Sequence, residues 1–335
     1  MSPAAAARPD LRHERFEAHY HGDVDFEREM LREEAEEALR RQDLEAAEAS
    51  APHRHDKETT TASRSWEAFH GDVHDSGGFF KDRRYLVREF YELKTGRRQE
   101  DIPLKTLPAA PMDVLEVGCG TGNSCVPVLG ANPLARLCAC DFSASAVAIT
   151  ASRAEKLLLE IDDGDGDKGT RRFHAVVGDP VTTDLVPASE AFQDPGCPGY
   201  GAAMLIFTLS AVAPEHQGLV MRRVAESLRP GGFVAFRDYG NWDMAMLRFP
   251  GTQRVSDRLY VRQDGTLAYF FELADLQALA EAAGLVVEEL RWCRVANRNR
   301  RDGTQWRRIF VHATLRKPDG RSETPTDNDT LIMRQ

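Results

Sequence analysis

The residues with the clearest chemical content stand together in VLEVGCGTGN, Val114–Asn123. Gly118, Gly120 and Gly122 follow an apolar run and precede a helical pattern. Without Cβ atoms they can turn tightly and bring the backbone against a ligand. Asp141 ends the next apolar run, 19 residues after Gly122. That spacing suits a carboxylate accepting both hydroxyls of a ribose. Glu116 lies just before the glycines, where it can organise an ammonium group. A third run ends in Gly178-Asp179-Pro180 and places another carboxylate beside an adenine edge. Dinucleotide-binding proteins share such glycines, but this loop reads GxGxG rather than GxGxxG. Together with Glu116, Asp141 and Asp179, it is expected to hold S-adenosylmethionine.

These residues need a scaffold, and the surrounding pattern supplies one. Strands are expected at Met112–Val117, Arg136–Asp141, Phe173–Val177, Ala203–Thr208, Phe233–Phe236, Val286–Val295 and Arg307–Leu315. Helices are expected at Ala144–Leu159, from the fourth strand to about Leu228, and at Leu273–Ala283. Alternation of this kind predicts an α/β, Rossmann-like fold, a mainly parallel seven-stranded sheet with helices on both faces. The domain occupies 112–317. Residues 64–111, rich in aromatics at helical spacing, form a lid and substrate-binding segment. Residues 1–63 form a charged extension, in which Asp23–Ala49 reads as a solvated helix with i,i+4 charge pairs and Ala51–Ser63 as a mobile linker. The acidic run Asp162–Gly169 does not have the spacing of an EF-hand loop. Residues 318–335 read as a disordered tail.

The chain has 335 residues, 42% of them hydrophobic, enough for one large domain with appendages. No apolar run approaches the roughly 20 residues that span a bilayer, and no secretory leader is evident, so no membrane partner is expected. Six cysteines without paired spacing suit a reduced intracellular protein, and no metal site is expected. The cytoplasm is the expected compartment, with mitochondrion and nucleus left open. The net charge of −10 opposes nucleic-acid binding if taken as a sum. Its distribution does not, because Arg291, Arg294, Arg298, Arg300, Arg301, Arg307, Arg308, Arg316 and Lys317 are opposed there only by Asp302. Such a stripe suits phosphates.

Several further stretches resemble those of the tRNA 3-methylcytidine methyltransferases of the methyltransferase-like superfamily. They are WEAFH at Trp66–His70, FFKDR at Phe79–Arg83, ACDFS at Ala139–Ser143 and MLIFTLSAV at Met204–Val212. FRDYGNWDMAMLRF, Phe236–Phe249, and YVRQDGTLAYFF, Tyr260–Phe271, are the most diagnostic. The resemblance runs from about Trp66 to Leu315. It implies cofactor contacts at Trp66, Gly118, Asp141, Asp179, Pro180 and Ile206. His70 stands where relatives usually carry Tyr, and Pro180 where Leu is usual. The implied substrate is the anticodon arm of tRNA, at the cytidine conventionally numbered 32. Relatives differ in whether they need a helper such as seryl-tRNA synthetase or another tRNA-binding protein.

The chemistry of that reaction asks little of a base. Nitrogen 3 of neutral cytosine already carries a lone pair, and its methylation makes the ring cationic. A carboxylate near the exocyclic amine would stabilise the developing charge. Asp238 is the candidate, with Arg237 fixing it or holding a phosphate. Phe80, Lys81, Arg83, Arg248, Arg262, Arg298, Arg300 and Arg301 are the candidate RNA contacts. Two other readings stay open: a methyltransferase of the same fold acting on a small molecule or protein, and a catalytically silent RNA-binding subunit.

Overall fold

The computed structural model describes residues 31–49, 66–68, 81–97, 110–161, 172–298 and 305–319. The linker, the acidic run and the tail beyond 319 named above lie outside the described residues. β1 (Met112–Val117), β2 (Ala135–Asp141), β3 (Phe173–Val177), β4 (Tyr200–Ile206) and β5 (Leu228–Tyr239) are parallel. β10 (Gln305–Arg316) returns antiparallel to β5 and pairs with β9 (Val286–Arg298). The sheet order is β3-β2-β1-β4-β5-β10-β9, seven strands as the sequence implies. The order reverses between β1 and β4, and open α/β sheets bind ligands at such a switch point.

Strand residues alternate between faces, and both faces are buried. Leu115, Val117, Leu205, Val234 and Phe236 pack with α7 (Pro214–Ser227) and α9 (Leu273–Ala282). Val114, Met204, Ile206, Phe233 and Ala235 pack on the other face. Their partners are α2 (Leu86–Glu89), α3 (Tyr91–Thr95), α4 (Cys125–Ala131) and α5 (Ala144–Ile161). The segment expected to form a lid and bind substrate also contributes to the core, through Leu86, Phe90 and Leu93.

Two expectations need correction. The N-terminal helix, α1 (Arg32–Glu48), is not a solvated appendage. Ala35 and Ala38 pack with Leu247, and fully buried Gln42 donates to the carbonyls of Met246 and Phe249, both at 3.0 Å. Tyr260 in turn donates its hydroxyl to Gln42 Oε1 at 2.9 Å. Small residues among many charges hid this face from a hydrophobicity pattern. Second, β5 extends beyond Phe236, because the polar residues Arg237 and Asp238 find buried partners. A small three-stranded sheet, β6 (Arg254–Ser256), β7 (Leu259–Val261) and β8 (Leu267–Tyr269), was too short to register as a period.

Candidate active site

The glycine loop joins β1 to α4 at the switch point. Gly118, Gly120 and Gly122 all have positive φ, at 73°, 50° and 82°. A Cβ on Gly118 would lie 2.4 Å from the Thr208 side chain, so the close approach of the β4 loop requires glycine there. The amides of Gly118 and Cys119 donate to the Cys140 carbonyl, which ties the loop to the end of β2. Asp141 follows directly. Its carboxylate accepts the Gly120 amide at 2.8 Å and the Ser143 amide at 2.9 Å. An ionised carboxylate has about four lone-pair sites, so Asp141 retains capacity for hydroxyl donors.

Glu116 points to the α4 face, and its Oε2 is buried with no hydrogen-bond partner among the described residues. Burial pushes its carboxyl up to about 7, against the opposing pulls of the Cys125 thiol and the Arg83 charge. A buried acceptor without a partner, beside a glycine cradle, suits the ammonium of an amino-acid ligand. Asp179 accepts the Val181 amide at 2.8 Å and shapes the turn after β3. Ile206 ends β4, 2% exposed. Glu67 reaches the start of α5, where the Ser145 hydroxyl donates to it at 2.5 Å. Residues 66–68 are thus pinned at Ser145, two residues beyond Ser143. These residues fit S-adenosylmethionine: Glu116 for its ammonium, the glycines for its backbone approach and Asp141 for its ribose.

Pro180 is buried beside Asp179, and its carbonyl accepts Arg223 at 2.8 Å. His70 lies outside the described residues, as do Phe80, Arg300 and Arg301. Arg298 is the last residue of β9.

Arg237 and Asp238 cannot act as a pair, because consecutive strand residues project from opposite faces. Arg237 enters the α2 side, fully buried, and ion-pairs with Glu89. It also donates to the Cys293 sulfur and lies 4.8 Å from the Tyr85 ring centroid. It is therefore not a phosphate contact. His312, opposite Arg237 in the register, stacks on Phe90 and lies 3.4 Å from both Glu89 and Glu289. Burial works against the Glu89 charge, but the His312 imidazole and Arg237 guanidinium outweigh it and hold the carboxyl low. Asp238 faces the other way. It accepts the Ser210 and Tyr239 amides, each at 2.9 Å, and is fully buried. Burial pushes it up to about 6, against the opposing Ser210 and Tyr239 hydrogen bonds. Through the Ser210 amide, fully buried Asp238 braces the loop after β4.

Arg83 is also differently placed than a phosphate contact would be. It donates to Ser124 Oγ at 2.9 Å, and its guanidinium lies 5.0 Å from the Phe207 ring centroid. Lys81 and Arg248 are exposed, and Arg262 is half-buried, donating to the Leu267 carbonyl at 2.5 Å. The sequence reading missed Phe207, Glu89 and Gln42. Only Phe207 carried a signal, as an aromatic residue ending the strand next to the glycine loop.

Fold and site together define a Rossmann-like S-adenosylmethionine-dependent methyltransferase, and a methyltransferase-domain family model matches residues 87–290. A Burkholderia thailandensis 1,6-didemethyltoxoflavin-N1-methyltransferase structure has the same fold, with a TM-score of 0.50 and 19% identity over 81% of this chain and 92% of that one. Closer likeness is found in sequence. The tRNA N(3)-methylcytidine methyltransferase Mettl2 of Drosophila melanogaster is 36% identical over 265 residues, 77% of this chain and 72% of its own. The tRNA N(3)-cytidine methyltransferase METTL6 of Mus musculus is 33% identical over 312 residues, 90% and 96% of the two chains. The chain belongs to the tRNA N(3)-cytidine methyltransferase family.

Proposed function

We propose that the protein methylates nitrogen 3 of a cytidine in tRNA, in the anticodon loop at the position conventionally numbered 32. The observation that carries this is the buried Glu116 oxygen, unpartnered among the described residues and next to a glycine cradle, in a chain of this family. When bound, S-adenosylmethionine supplies a methyl group on a positively charged sulfur. Glu116 holds the ammonium end, Asp141 the ribose, and the Trp66 segment excludes water. The target nitrogen needs no deprotonation, so the protein's task is alignment of the base with the methyl group. Asp238 serves as a positioning residue through the Ser210 amide. An unpaired loop leaves the Watson–Crick edge of cytidine accessible. The anticodon arm lies along the β9–β10 hairpin and its arginines. Seryl-tRNA synthetase, or another tRNA-binding protein, presents the substrate, and the cytoplasm is the compartment.

The test is methyl transfer from labelled S-adenosylmethionine to total tRNA, with nucleosides resolved by mass spectrometry. Label is expected in 3-methylcytidine, and tRNA carrying uridine at position 32 is expected to accept none. Label in another nucleoside, or none with and without seryl-tRNA synthetase, would overturn the reading.

A further inference from the structure

Phe207 has a backbone that its side chain disfavours. Its φ is 58°, in the left-handed region where a bulky residue is a genuine outlier. Strain of this kind persists only where the surroundings over-determine it, and it concentrates at ligand sites. Here the determinants are visible. The Phe207 amide donates to the Arg237 carbonyl at 2.7 Å. The next residue, Thr208, donates its hydroxyl to the Val117 carbonyl at 2.9 Å. Asp238 holds Ser210 from below. Three anchors on two neighbouring strands therefore aim one ring from the switch point, directly beside the glycine loop.

That ring is half-buried and belongs to a group. Tyr239 lies 5.2 Å from it, centroid to centroid, and Phe310 lies 5.3 Å away edge-on. Tyr239, also half-buried, ends β5 and pairs in register with Phe310 of β10. Guanidinium groups surround these rings. Arg83 is 5.0 Å from Phe207, Arg262 is 5.7 Å from Tyr239, and Arg308 is 5.0 Å from Phe310. Asp243 holds Arg308 with bonds of 3.0 and 2.9 Å, so that guanidinium is fixed in place. Tyr239 is tilted 48° and Phe310 80° to the Phe207 ring, so the three form an aromatic corner, and such a corner is suited to one unpaired base.

We propose that Phe207 is the shelf on which the target pyrimidine stacks, with the tilted Tyr239 ring closing one side, and that the strained backbone at Phe207 sets the height of that base against the cofactor loop. The proposal rests on the reading above that the substrate is an RNA base. It adds the residue that selects an extruded, planar ring. It also gives a reason for aromatic rather than aliphatic side chains. The methylated ring is cationic, and the faces of aromatic rings attract cations.

The experiment uses the full chain with S-adenosylhomocysteine and an anticodon stem–loop carrying the fluorescent analogue pyrrolocytidine at the target position. Wild-type protein is expected to quench it, Phe207→Leu to abolish the quench, and Phe207→Tyr to restore it. S-adenosylmethionine affinity, measured by calorimetry, is expected to stay within threefold in both variants. With tRNA, Phe207→Leu should lower kcat/KM on the order of 10- to 100-fold, the range of a lost base–aromatic stack. An equal quench by Phe207→Leu, or loss of its cofactor affinity, would overturn the shelf even if wild-type protein makes 3-methylcytidine. A Phe207-dependent quench without 3-methylcytidine would keep the shelf and overturn the proposed reaction.

Discussion

The glycine-loop half of this molecule and the half around β5, β9 and β10 are built by different means. Around β1 and β2 the candidate cofactor groups are backbone amides, three glycines and isolated acids, all within Glu116–Ser143. Around β5, β9 and β10 the work falls to side chains brought from remote parts of the chain. Arg307 donates to Glu34, Arg254 to Asp43, and Tyr260 to Gln42, across separations of more than 200 residues. A contiguous motif can be recognised as a string. A network of distant partners cannot, because each member is an ordinary residue until its neighbour is known.

The largest expected effect breaks the remote network. Glu89→Ala leaves Arg237 buried without its carboxylate, which should destabilise the protein by about 3–5 kcal/mol. Urea denaturation measures this, and a loss below about 1 kcal/mol would mean the pair is not a clasp between α2 and the sheet.

A smaller effect tests the glycine-loop half through pH. Glu116 is pushed up to about 7 when folded, from 4.5. Between those values the folded state keeps a proton that the unfolded state has lost. Stability therefore falls as pH rises through that window, by on the order of 2–3 kcal/mol. Glu116→Gln should remove this decline, leaving the weaker one from Asp238, which is raised to about 6. Denaturation at pH 4.5 and pH 8 checks it; parallel curves for wild type and variant would contradict it.

The smallest effect concerns α1. Gln42→Ala should cost about 1–3 kcal/mol, since the Tyr260 hydroxyl and two carbonyls lose their partner. Hydrogen exchange at 31–49 should rise with it. Unchanged protection would mean that the helix is held by its small apolar face alone.

What the sequence determined by itself was the glycine-loop half. The strands β1 and β3 fall where the apolar runs place them, and the glycines and Asp141 lie where their spacing requires. The reason is that local sterics and a period of two residues act within a few neighbours. Tertiary structure decided the rest. It sent Arg237 and Asp238 to opposite faces, which no inspection of the pair Arg-Asp suggests until the strand is known to extend through Tyr239. It drew Arg83 toward the Phe207 ring and Ser124 instead of leaving it for phosphate. It also turned a charged N-terminal helix into a packed element through Ala35, Ala38 and the buried amide of Gln42. A buried polar side chain depends on partners distant in the chain, so its role is fixed only when the fold brings those partners to it.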